Sequence, residues 1–305
     1  MKLSAYSDAS QKWGLLEGEA VATMAKVPEA SLDAVVTDPP YGIDFGGAAW
    51  DGAAIRHDRR GLSGGQAFER WTSTWARQVL RLLKPGGHLL AFGTPRTVHR
   101  LVSGIEDAGL EIRDQVLWLH AQGLPKGRRL PGGLSTALRP TYEPVVVARA
   151  PFVGTTTQNL ARYGTGTLNI RDAAIGSKGW PTNLAATGHA LPEAVSRICF
   201  CAKPTKYERE AGCEQLPLQD QPVFWKPSPR LRRNPHPTVK PVALMRWLIR
   251  LAVPDGGLVL DPFTGSGTTG IAAVLEGRRF LGLEREPAYV DVACARLGHW
   301  SKEHP

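Results

Sequence analysis

The run Asp261-Pro262-Phe263-Thr264-Gly265-Ser266-Gly267-Thr268-Thr269-Gly270 constrains the fold of this chain more than any other stretch. It follows a short apolar run, Leu258 to Asp261, and opens a helical pattern, Thr268 to Glu276. The chain must therefore turn sharply from strand to helix, with Gly265 and Gly267 letting backbone approach a ligand closely. A second strand, Phe280 to Glu284, ends in an acid about 20 residues on, where a carboxylate can hydrogen-bond both hydroxyls of a ribose. Together these features describe an adenosine site. No lysine follows the last glycine, as a phosphate-cradling loop requires, so a nucleoside triphosphate is disfavoured.

Alternating strand and helix signals extend this α/β reading to the rest of the chain. Leu32 to Thr37 is a strand that stops at Asp38-Pro39-Pro40, since proline cannot continue a ladder. Gly42 to Gly65 is glycine-rich, carries the charged patch Arg56 to Arg60, and reads as a mobile lid. Phe68, Trp71, Trp75, Val79 and Leu82 recur at helical spacing up to Pro85-Gly86-Gly87, and His88 to Phe92 is a buried strand. Thr94-Pro95 reads as the cap and first position of a helix that Gly109 closes. Ile112 to Leu119 and Tyr142 to Ala148 suit an antiparallel pair. From about Ala150 to His236 the periodicity dissolves into Thr, Gly, Asn and Pro, with Ile198 to Ala202 as the one strand-like run. Regular patterning resumes with a helix over Val239 to Val253. Trp13, Trp71, Trp75 and Trp247 read as core aromatics.

The 305 residues are enough for one large α/β domain with an insertion, and no apolar run approaches a membrane span. Met1 to Gln11 has no apolar core before a cleavage site, so the cytoplasm is expected. Lys plus Arg exceed Asp plus Glu by 37 − 28 = 9, and the excess is uneven. From Leu117 to Arg171 the only acid is Glu143, amid Lys126, Arg128, Arg129 and Arg139. Gln221 to Pro241 holds Lys226, Arg230, Arg232, Arg233 and Lys240 with no acid. Such a middle third favours a polyanionic partner. Cys199, Cys201, Cys213 and Cys294 make no disulfide framework, and Cys199-x-Cys201 with Cys213 and His189 fits no usual zinc spacing, so no metal is expected.

Asp38-Pro39-Pro40-Tyr41 carries the chemistry. The two prolines fix the backbone so that the Asp38 carboxylate and a main-chain carbonyl can point at one spot beside an aromatic face. An exocyclic amino group on a base is a poor nucleophile because its lone pair is delocalised into the ring. Two acceptors aimed at its hydrogens can localise that pair.

D-P-P-Y at Asp38 to Tyr41, H-P-T-x-K-P at His236 to Pro241 and D-P-F-x-G-S-G-T-T at Asp261 to Thr269 resemble the motifs of amino-group DNA methyltransferases. Their order, catalytic motif first and cofactor motif last, resembles the beta subgroup. The resemblance implies a Rossmann-like class I methyltransferase fold, with a circularly permuted, mixed seven-stranded sheet, helices on both faces and a loop-rich target-recognition insertion. Residues 1–150 and 236–305 would form the catalytic domain and 151–235 the target-recognition region. It implies S-adenosylmethionine as cofactor, bound by Asp38, Asp261, Pro262, Phe263, Gly265, Ser266, Gly267 and Thr268, with Thr238 and Lys240 on its methionine carboxylate and Glu284 on its ribose. Gly18-Glu19 stands where the family usually has Gly-Asp against the adenine.

By the same resemblance Asp38, Pro39, Pro40 and Tyr41 are catalytic. The Asp38 carboxylate and Pro39 carbonyl accept the amino hydrogens, and Tyr41 stacks on a base flipped from duplex DNA, its ring rather than its hydroxyl being the working part. An Asp first in the tetrapeptide resembles enzymes acting on adenine N6, so a site-specific adenine methyltransferase is expected, with cytosine N4 as the alternative and a catalytically silent DNA-binding relative behind it. Cytosine carbon 5 is excluded because no cysteine follows a proline. Lys126, Arg128, Arg129, Arg139, Lys226, Arg230, Arg232 and Arg233 are the expected phosphate contacts. A second copy of the chain and a companion restriction endonuclease are the further partners the resemblance admits.

Overall fold

The computed structural model describes residues 11–45, 49–52, 55, 61, 64–120, 130–174, 180–185, 203–221 and 230–303. Strands β1 (Trp13–Glu17), β2 (Leu32–Thr37), β3 (Leu83–Phe92), β4 (Glu111–Leu119), β5 (Tyr142–Arg149), β6 (Leu184–Ala185), β9 (Leu258–Asp261) and β10 (Arg279–Glu284) form one sheet; β7 (Gln219–Gln221) and β8 (Arg230–Arg232) pair separately. The order across the sheet is β1-β10-β9-β2-β3-β5-β4-β6. Seven strands make its body, and the two-residue β6 adds beside β4. The last two long strands of the chain thus lie between the first two, which is the permutation that the motif order implies. Strands β1, β10, β9, β2 and β3 run parallel, and β5 runs against both β3 and β4.

Side chains alternate between two cores, one on each face, as the pleat requires. Val35, Leu89, Ala91, Val146 and Ala148 face helices α1 (Ala20–Met24), α2 (Gly64–Leu82) and α3 (Val98–Asp107). Val36, Leu90, Phe92, Val145 and Val147 face α6 (Val242–Ala252), α7 (Thr268–Leu275) and α8 (Pro287–Glu303). Trp75 and Trp247 are core residues as expected, while Trp13 and Trp71 pack against the two cores from partly buried positions.

Two local expectations change. Helix α2 ends at Leu82, ahead of Pro85-Gly86-Gly87, which lie inside β3 at a register slip: Leu83 pairs with Leu32 but His88 with Ala34. Helix α3 starts at Val98, not at Pro95; the Thr94 carbonyl accepts the N–H groups of Thr97 and Val98, so a turn comes first. The Thr97 hydroxyl then donates to the Tyr41 carbonyl at 2.7 Å, tying this turn to the Asp-Pro-Pro-Tyr segment.

The loop-rich stretch also holds order that composition hid. Helix α4 (Thr156–Tyr163) has a capping box, Thr155 with Gln158, and ends at Gly164 in the left-handed region (φ +72°). It lies at the N-terminal end of β3, where Asn159 and Thr165 both donate to the Pro85 carbonyl. Helix α5 (Lys206–Glu210) and the β7–β8 pair pack instead near the C-terminal strand ends, through Arg209 to the His236 carbonyl at 2.9 Å and Arg232 to Glu210 at 2.9 Å. The run Ile198 to Ala202, together with Cys199, Cys201 and His189, lies outside the described residues.

Candidate active site

A cavity of about 960 Å³ opens at the C-terminal ends of the parallel strands, where the sheet order turns back between β9 and β2. Open α/β sheets bind ligands at this point because neighbouring loops there leave in opposite directions. Asp38 follows β2, Gly18 and Glu19 follow β1, the glycine turn follows β9, and Glu284 ends β10, so every motif of the sequence arrives at one rim. The Thr37 hydroxyl donates to Asp261 at 2.6 Å and stitches β2 to β9 there.

Asp261 does not line the cavity. It is 2% exposed and accepts from Thr37, from Thr269 at 2.6 Å and from the Phe263 N–H at 3.1 Å, which folds the glycine turn. Burial pushes its carboxyl up to about 6, against these donors. Glu284 works similarly: its oxygens accept the N–H groups of Gly265 at 2.8 Å and of Arg285 and Glu286 at 2.9 Å each. Burial raises its pKa as well. Glu284 does line the cavity, with Pro262, Phe263 and Gly265. Phe263 is fixed between Trp71 and Trp75, ring centroids 5.6 and 5.7 Å away.

Ser266, Gly267 and Thr268 stand behind the turn. Arg296, fully buried, donates to the Ser266 carbonyl and to the Thr268 hydroxyl. A Cβ on Gly267 (φ +80°) would meet the Ala293 backbone at 3.2 Å, so this glycine admits helix α8 rather than a ligand. A Cβ on Gly265 (φ +52°) would fall 2.5 Å from Nε2 of His236. His236 lines the cavity, its Nδ1 is buried without a hydrogen-bond partner, and burial holds the imidazole down to about 3, so it is neutral.

At the other end, the Tyr41 hydroxyl donates to Asp38 Oδ1 at 2.7 Å, and Lys240 donates to Asp38 Oδ2. Lys240 also lies 3.5 Å from Glu143 and 3.4 Å from the Tyr41 oxygen. Burial opposes its charge, but Asp38 and Glu143 together raise its pKa and keep it an ammonium. Burial raises Asp38 against the pull of Lys240. Burial and the two carboxylates hold Tyr41 well above the usual phenol range. His120, on the residue after β4, is 4% exposed, with Nε2 3.6 Å from Glu143; burial lowers its pKa. Lys240, expected on a cofactor carboxylate, is thus on the Asp38 carboxylate, and Thr238 also lines the wall. Glu19 lines the cavity too, while its carboxylate caps α1 at the Ala22 N–H, 2.8 Å away.

Sequence reasoning missed Glu143, His120, His236 and Trp118, all of them on the wall. Two of them had a signal, Glu143 as the sole acid in a long basic stretch and His236 as the first residue of H-P-T-x-K-P. The expected lid is partly pinned: buried Asp51 accepts the N–H groups of Gly42, Ile43 and Phe45 at 2.7, 3.2 and 2.8 Å. Of the expected DNA contacts, Arg230 and Arg232 lie at the cavity mouth and Arg139 is exposed. Arg233 turns inward to the Leu216 carbonyl. Lys126, Arg128, Arg129, Lys226 and Arg56 to Arg60 lie outside the described residues. Among the described residues no cluster could hold a metal ion, and no helix is long and apolar enough to cross a membrane.

A family model described as DNA methylase matches residues 32–295. The type II methyltransferase M.HindIII of Haemophilus influenzae is 23% identical over 93% of this chain and 94% of its own length. The fold is similar to that of PvuII DNA methyltransferase (cytosine-N4-specific), with a TM-score of 0.66 at 19% identity over 94% of this chain and 86% of that one. It is also similar to M1.HpyAVI in its SAM complex, with a TM-score of 0.56 at 19% identity over 93% of this chain and 98% of that one.

Proposed function

Since the chain belongs to the N6/N4 DNA methylase family and is a DNA methyltransferase, we propose that it methylates the N6 amino group of adenine at a specific duplex sequence, using S-adenosylmethionine. The observation that carries this reading is one cavity holding the Asp38-Pro39-Pro40-Tyr41 segment and the glycine turn with Glu284. At about 960 Å³ it is at the upper end of small-molecule sites, room for a nucleoside cofactor and a base together. The buried, unpartnered Nδ1 of His236, whose ring lies against Gly265 on the cavity wall, fits a polar ligand at the cofactor end.

When bound, S-adenosylmethionine supplies a methyl group on a sulfonium, electrophilic enough to need neither metal nor covalent help. Phe263 would flank it, Glu284 would hold its ribose, and Thr238 and Lys240 its carboxylate. The target base must leave the stack to reach this cavity, because its amino group is otherwise paired inside the duplex. Asp38 and the Pro39 carbonyl then accept the amino hydrogens and localise the nitrogen lone pair, and the Tyr41 ring covers the base. Arg230 and Arg232 at the mouth suit phosphate contact.

The test is transfer of labelled methyl to DNA followed by hydrolysis and chromatography of the nucleosides. N6-methyladenine is the expected product. N4-methylcytosine would move the substrate assignment to the alternative base, and no label in any DNA would leave a silent relative of the family.

A further inference from the structure

Methyl transfer to an amino group leaves a proton to be removed. The nitrogen lone pair forms the new N–C bond, the C–S bond breaks with its electron pair staying on sulfur, and the nitrogen gains positive charge as that bond forms, so drawing off one proton in the same step lowers the barrier. Asp38 is the base beside it, but both of its oxygens are engaged, one by Tyr41 and one by Lys240. Lys240 is already an ammonium and cannot accept.

The Tyr41 hydroxyl stands between two carboxylates, 2.7 Å from Asp38 Oδ1 and 3.2 Å from Glu143 Oε2. It can donate to one at a time, and giving its proton to one while taking a proton from the other moves a proton between them. Glu143 is 24% exposed, held on its far side by His120 and on its near side by Lys240. It is the one acid in a basic stretch, and β5 delivers it to the catalytic end of the cavity.

We propose that Glu143 receives, through the Tyr41 hydroxyl, the proton that the target amino group releases. The amine proton passes to Asp38, the Tyr41 proton passes to Glu143 Oε2, and Tyr41 recovers a proton from Asp38 Oδ1. Asp38 and Tyr41 end as they began, and one proton has moved from nitrogen to Glu143. This rests on the assignment of amino-group transfer to this cavity. In this relay Glu143 acts through Tyr41, and the hydroxyl that sequence reasoning set aside becomes a working part.

The competing account is that Glu143 only balances the charge of Lys240. Single-turnover methyl transfer by the wild type, Glu143→Gln, Tyr41→Phe and the double variant separates the two, because Tyr41→Phe breaks the relay while leaving the Glu143–Lys240 pair. Each single change is expected to slow transfer by about 10- to 100-fold, and the double change no further than either. Both should abolish the solvent deuterium isotope effect of the wild type, with calorimetric cofactor affinity unchanged. Wild-type rates in Tyr41→Phe, or multiplying losses in the double variant, would overturn the relay while leaving the transfer reaction in place. A wild type that methylates no DNA would instead remove the reading of the cavity on which the relay stands.

Discussion

The two ends of the cavity treat their carboxylates differently. Around the glycine turn, Asp261 and Glu284 are held by neutral donors: two hydroxyls and a backbone N–H for one, three backbone N–H groups for the other. At the Asp-Pro-Pro-Tyr end, Asp38 and Glu143 share an ammonium and a phenol. Neutral backbone donors cannot be exchanged without refolding the turn, so that end is preformed. Ionisable side chains can exchange partners and protons in place, so the other end can take part in a reaction. The carboxylates of the first end are buried and those of the second half-buried, but what separates the ends chemically is the kind of hydrogen that each carboxylate receives.

The contrast is most sharply tested by removing one carboxylate from each end. Asp38→Ala should lose at least about 100-fold in methyl transfer while still binding cofactor, since it deletes an acceptor used in the transition state. Transfer at the wild-type rate would show that the reacting end lies elsewhere.

Asp261 should report on stability and its pH dependence instead. Its pKa rises from 3.8 to about 6 on folding, so between these values the native state binds more protons than the unfolded one. Stability from this group is therefore fully present below about pH 4 and is lost as pH rises through 6, by about 2–3 kcal/mol. Urea titrations from pH 4 to 7.5 should show that decline in the wild type and not in Asp261→Asn. Parallel profiles would mean that the turn's carboxylate titrates normally.

The two glycines should divide in the same way within one end. Gly267→Ala puts a side chain at a positive φ against helix α8 and should cost about 1–3 kcal/mol of stability with cofactor affinity intact in the folded protein. Gly265→Ala displaces His236 at the cavity wall and should lower cofactor affinity. Calorimetry and thermal melts on both variants would expose a reversed pattern.

The smallest effect belongs to the rim. Neutralising Arg230 should flatten the log–log salt dependence of DNA affinity by about 0.9 and leave site preference unchanged. A shifted recognition sequence would make it a base reader.

Much of the preformed end was legible because its interactions are local: apolar run, Asp-Pro-Phe, paired glycines and a helix start occupy one stretch, and a turn needs only its neighbours. The capping box at Thr155 and Gln158 was equally local and was hidden only by the Thr- and Gly-rich composition around it. The order of motifs likewise implied a permuted sheet, which the placement of β9 and β10 between β1 and β2 bears out. The same run could not say which of its members face a ligand. Asp261, Ser266, Gly267 and Thr268 turn inward because the Thr37 hydroxyl, Arg296 and helix α8 meet them from far along the chain.

By itself, then, the sequence determined the α/β architecture and the strand-end positions of Asp38, Glu284 and the glycine turn, since each follows from backbone preferences over a few residues. Only the tertiary structure decided that Lys240 sits on Asp38, that Glu143 reaches Tyr41 from 102 positions away, and that His120 and His236 are buried and neutral. Those facts depend on which strands become neighbours and how much water their packing removes, and neither quantity is encoded in the spacing of residues along the chain.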